Sequence, residues 1–175
     1  MLKIGDVEEF VQKDYEAKDS MHDLSHIRRV LGIAQKLAQD HNCDSELLTL
    51  GAYFHGIVYD KENEIREFLN GKYISKDRAE KVIQIAWESQ KESEPETIEG
   101  TILHDAHLIE GGKTFLIAKS LITGTARGQT LEETISFVEK NILGKFRCFL
   151  PKAREIYEEK EKFTKDFLAE LKNNL

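Results

Sequence analysis

Proline is nearly missing from this chain of 175 residues, which has it only at Pro95 and Pro151. A sequence so poor in the residue that ends helices, with apolar positions recurring three and four apart, is predicted to be all-helical. Cysteine is scarce as well. Cys43 and Cys148 show no CxxC spacing, which speaks against a disulfide scaffold and fits a reduced, cytoplasmic protein. No apolar run reaches the length a bilayer demands, and the opening stretch MLKIGDVEEFVQKDYEAKDS has no apolar segment of the leader type, so no membrane partner is expected. Net positive charge is also lacking. At a formal charge of −7 and a pI near 5.4 the chain offers no extended basic face, which speaks against a nucleic-acid polymer or an anionic bilayer. A small phosphorylated molecule stays open as a partner, since a local cluster of lysines and arginines suffices to hold one.

What is present is enough chain for one domain, 1–175, with its own core, and no internal repeat. Periodicity predicts helices over Val7–Tyr15, from Ser20 or Asp23 to about His41, from Asp44 to His55, over Glu62–Leu69 and over about Lys76–Glu88. Others run from Thr97 to the break at Gly111-Gly112, over Lys113–Ile122 and Leu131–Leu143, and from Leu150 to Leu175. The polar tract from Ser89 to Glu96 is too short for a domain linker and is expected as a loop. The last helix carries a stripe of Ile156, Tyr157, Phe163, Phe167, Leu168 and Leu171, to be packed on the body or on a second copy in a homodimer.

Three histidine-bearing segments draw attention: HDLSHIRRV (22–30), LGAYFHGIVYD (50–60) and ILHDAHLIEGG (102–112). Together they bring His26, His55 and Asp105 forward as ligands delivered by three different helices. Imidazole nitrogens with a carboxylate oxygen suit a borderline or hard divalent ion. His22 lies one helical turn before His26, on the same face. The plain alternative for any one of these histidines is a hydrogen-bonded core residue. His41 is expected to cap its helix end or face solvent, His104 to point elsewhere, and the cluster Glu62, Glu64, Arg66 and Glu67 to be a solvated helix face.

Over residues 20–118 the segments HIRRV, AYFHGI and ILHDAHLIEG resemble, in order, the motifs of the HD superfamily of metal-dependent phosphohydrolases. The resemblance implies a single-domain, all-α HD-type bundle of roughly seven to nine helices, with the helices of 131–175 packed on that core. It implies a divalent metal ion (Mn, Fe, Ni, Zn or Mg) held by His26, His55 and Asp105, and hydrolysis of a small phosphate ester, nucleotides among them. Arg29, the arginine of the HxxRV pattern, and Lys61 would then neutralise phosphoryl charge as catalytic residues, with His22, Arg28 and His107 contacting substrate. One position departs from the family: Gly56 stands where the His-Asp doublet has its aspartate. Glycine offers no donor atom, so metal affinity should fall and a dinuclear centre is not expected. Asp60, four positions on, is the candidate replacement, with Asp23 or a water as others. The alternative function is a catalytically impaired HD-fold protein that binds a small phosphorylated ligand or serves as a helical scaffold.

Overall fold

Residues 2–175 are described by a computed structural model, and among them there are nine helices and no strand. They are α1 (Ile4–Glu16), α2 (Leu24–Ala38), α3 (Ser45–Phe54), α4 (Val58–Gly71), α5 (Lys76–Glu88), α6 (Ile98–Leu108), α7 (Phe115–Ala126), α8 (Leu131–Asn141) and α9 (Pro151–Lys172). The starts follow from side-chain caps that satisfy the free amides of a first turn. The Asp23 carboxylate accepts from the amides of Ser25 and His26, and Asp44 accepts from those of Glu46 and Leu47. Ser75 and Thr97 do the same for Arg78 and Gly100. The expected span of α5 is the observed one. By contrast α4 begins at Val58 rather than Glu62, with a kink at Lys61 (φ −129°) joining a short first turn to the main helix.

The apolar helix α3 forms the middle of the core and packs against α5, α2, α6 and α1. Its contact with α5 is close because position 51 carries no side chain. A Cβ on Gly51 would lie 2.5 Å from Ile85 Cγ2. Tyr157 and Ala153 bring the first half of α9 into this core, while Leu168 joins Ile135 and Val138 of α8 in a small separate cluster. Two reciprocal contacts lock α9 to α6. The Asp105 carboxylate accepts from the amides of Phe149 and Leu150 at the start of α9, and Lys160 donates to the carbonyls of Leu108 and Glu110 at the end of α6. Each charge thereby meets the helix end whose free groups it satisfies. Among the described residues, no helix is long and apolar enough to cross a membrane.

Candidate metal centre

Three rings converge where α2, the end of α3 and α6 meet. His26, His55 and His107 each offer one ring nitrogen, and these nitrogens all lie within 4.8 Å of one another. His26 Nε2 and His55 Nε2 are 3.2 Å apart. The opposite nitrogen of each ring already has an acceptor. His26 Nδ1 lies 2.9 Å from Glu110 Oε1, His55 Nδ1 2.6 Å from the Ala52 carbonyl, and His107 Nδ1 3.3 Å from the Ser89 carbonyl. Those acceptors place the proton of each neutral ring on Nδ1, which leaves Nε2 of each ring as a lone pair.

Lone pairs facing one another at such distances repel unless a cation lies among them. A proton is disfavoured there. Burial pushes the His55 imidazole down to about 3, with the neighbouring His26 adding to the effect, and burial likewise lowers His26 and takes His107 well below its usual value. A divalent ion therefore fits the donor set, and the anchoring of each Nδ1 is the outer arrangement that metal-binding histidines use to fix their tautomer. His107 is the least enclosed of the three and lines a narrow pocket with Lys91, Glu110 and Lys119.

Glu110 is the polar hub behind the centre. At 1% exposure its carboxylate accepts from His26 Nδ1, Arg29 Nε and Lys119 Nζ. Burial alone would raise its pKa, but the His26 hydrogen bond and the Lys119 charge outweigh that and hold it down at about 2. Glu110 escaped the sequence analysis. Its signal was an acid closing an apolar helix, in LIEGG, where only a cation or a strong donor could accept its burial.

The structure brings His26 and His55 together with His107 and places Asp105 elsewhere. Asp105 is fully buried but faces away, its carboxylate taken up by the Phe149 and Leu150 amides and by His104 Nδ1 at 2.9 Å. Residues two apart on a helix project in nearly opposite directions, so α6 presents His107 to the centre and Asp105 to α9. Asp60 is exposed in the first turn of α4, and Asp23 is spent as the α2 cap. Lys61 is paired with Asp14 at 2.9 Å, and Arg28 with Glu8 at 3.1 Å on the surface. Arg29 is committed to Glu110 and the Ser25 hydroxyl, and His22 Nδ1 is turned to Asp19.

The place beside Gly56 is filled from α1 and the segment that follows it. Lys18 donates to the Gly56 carbonyl, and the Tyr15 hydroxyl accepts from the Gly56 amide while donating to the Tyr53 carbonyl. A Cβ on Gly56 would lie 2.7 Å from the Tyr15 hydroxyl and 3.1 Å from Lys18 Nζ. An ammonium and a phenol thus occupy the space into which a side chain at 56 would grow.

Residues 23–135 match a family model described as HD domain. Bacillus subtilis YpgQ in complex with ADP is similar in structure, with a TM-score of 0.77 at 23% identity, covering 99% of this chain and 98% of that one. An HD-superfamily hydrolase from Bacillus thuringiensis gives 0.74 at 18% identity, covering 98% and 95%. A protein from Lactobacillus plantarum gives 0.81 at 15% identity, covering 99% and 98%. No curated protein matches the sequence.

Proposed function

The chain belongs to the HD-domain family, and on that premise we propose that it is a metal-dependent phosphohydrolase acting on a small phosphate ester through one ion held by His26, His55 and His107. The observation that carries this reading is the convergence of the three rings with each Nδ1 already committed to an acceptor. Three histidines with an open position form a catalytic mononuclear set, and neutral imidazoles select Zn, Ni or Fe over Mg or Mn. A divalent ion there would supply Lewis-acid chemistry toward water and phosphoryl oxygen. The protein's own part is orientation: Glu110 aims His26, the Ala52 carbonyl aims His55, and the Ser89 carbonyl aims His107. That YpgQ was crystallised with ADP supports a nucleotide as the small phosphorylated ligand.

A second reading rests on the surroundings of Gly56. With Lys18 and Tyr15 in that space, position 56 supplies no carboxylate beside His55, and the same pocket would bind a phosphorylated molecule without hydrolysing it. Protein stripped by a chelator and reloaded with Zn, Ni, Fe(II), Mn or Mg separates the two. Phosphate release from nucleotides that depends on Zn, Ni or Fe and is abolished by His55→Ala supports the enzyme. Stoichiometric metal without release under any ion supports the binding protein, and failure to take up any ion overturns the metal centre.

A further inference from the structure

On the His55 side of the histidine centre stands an ammonium group with no metal-binding part to play. We infer that Lys18 is the residue that decides which ion the centre takes, a tethered positive charge that shuts out ions held weakly by nitrogen, such as Mn and Mg, and leaves those held strongly, such as Zn and Ni. The inference deepens the function proposed above and rests on its metal centre.

Placement is the first argument. Helix α1 ends at Glu16, the Lys18 amide turns back to the Tyr15 carbonyl at 3.2 Å, and the side chain crosses to donate to the Gly56 carbonyl. The face of the Tyr15 ring holds the same ammonium, with 4.8 Å from Nζ to the ring centroid. Nζ also stands 3.1 Å from the place of a Cβ on Gly56. The charge is thereby fixed against the residue that follows His55. Its field reaches the ring: burial is the larger cause that disfavours a positive charge on His55, His26 comes next, and Lys18 adds to them.

The want of a counter-charge is the second. Among the described residues Lys18 forms no ion pair. Three carboxylates act on it from further off, but Asp14 is paired with Lys61 at 2.9 Å, Asp19 with His22 at 2.9 Å, and Asp60 is exposed. The centre adds no anionic ligand of its own. Its three rings are neutral, Asp105 is taken up by the start of α9, and Glu110 is shared with Arg29 and Lys119. An entering divalent ion therefore meets neutral nitrogens and a fixed positive charge. Repulsion by that charge weakens every divalent ion alike, whereas imidazole holds Zn and Ni far more tightly than Mn, and Mg asks for oxygen ligands. Only the nitrogen-seeking ions keep a useful affinity.

The test is metal uptake by the full chain, read without an activity assay. Zinc is titrated against a chelating dye, and Mn is followed by loss of the free-ion electron paramagnetic resonance signal. Lys18→Met keeps the alkyl stem against the Tyr15 ring, and Lys18→Gln keeps a donor for the Gly56 carbonyl, so a loss of packing in one is not shared by the other. Both should tighten zinc roughly tenfold, while Lys18→Arg, which keeps the charge, should leave zinc affinity unchanged. The parent should take up no Mn. Gly56→Asp alone should take up none either, because Lys18 pairs with the new carboxylate, whereas Lys18→Met combined with Gly56→Asp should take up one Mn per chain. Zinc held equally by the parent and both neutral variants overturns the inference and leaves the histidine centre standing. Zinc taken up by the neutral variants but not by the parent upholds the inference and removes the metal reading of the native protein. Mn held by the parent, or refused by the double variant, overturns the selectivity, and no uptake of any ion by any variant overturns both readings.

Discussion

Replacing Asp105 by asparagine distinguishes a metal ligand from a structural strut. The carboxylate, with no exposure to solvent, accepts from the Phe149 amide at 2.9 and 3.1 Å, from the Leu150 amide at 2.7 Å and from His104 Nδ1 at 2.9 Å. Asparagine keeps one acceptor oxygen and turns an NH2 group against a donor. Losing one hydrogen bond to a charged acceptor removes about 1.5–3 kcal/mol, and losing the negative charge at the start of α9 removes roughly 0.3–1 kcal/mol more. The sum is a destabilisation of roughly 2–4 kcal/mol, which for a chain of this size lowers Tm by roughly 5–15 °C. Circular dichroism melts and metal analysis on the same preparations provide the assay. Asp105→Asn should melt early and keep its full complement of metal. Unchanged melting with loss of metal would refute the assignment and restore Asp105 as a ligand.

Gly56→Asp should not create a second metal position. Its side chain meets Tyr15 and Lys18, overpacking of that kind costs about 1–3 kcal/mol, and metal analysis should still find no more than one ion per chain; two ions would contradict the packing argument. Glu110→Gln leaves Arg29 and Lys119 without their buried counter-charge, so unfolding free energy should drop by about 3–5 kcal/mol and metal affinity by about 10- to 100-fold. A chemical denaturation curve and a metal titration check both. The metal-free protein should weaken in mild acid. Burial holds His26, His55 and His107 below the usual 6.5, so the unfolded chain takes up protons that the fold refuses. Stability is then whole above pH 6.5 and is lost as pH falls toward the depressed values, by about 1.4 kcal/mol per pH unit for each histidine. A denaturation midpoint that stays flat between pH 7 and pH 5 would contradict this.

The helices were legible in the sequence because their periodicity and caps act locally. Asp44 and Ser75 start α3 and α5 through hydrogen bonds to amides two or three residues away. The early start of α4 was hidden because the non-helical backbone at Lys61 interrupts its pattern. His26 and His55 could be named from their segments, but the choice between Asp105 and His107 depends on how α6 is rotated about its axis. That rotation leaves no trace in the hydrophobic pattern, because residues 102–106 are all buried and α6 has no polar face to orient it. The partners of Arg29, Lys61 and Arg28 were hidden for a related reason. A carboxylate distant in sequence claimed each one: Glu110, Asp14 and Glu8. Lys91 and Lys119 enter the account only because α7 and the α5–α6 loop fold against the pocket that His107 lines.

Whether three imidazoles alone make the metal position is decided by where the ion sits. Crystals of the zinc-loaded protein, with diffraction recorded on both sides of the zinc absorption edge, locate the ion directly. One anomalous peak is expected about 2.0–2.1 Å from Nε2 of each of His26, His55 and His107, with Asp105 still bonded to the start of α9. A peak on the Asp105 carboxylate, a peak beside Gly56, or no peak at the three rings would contradict it.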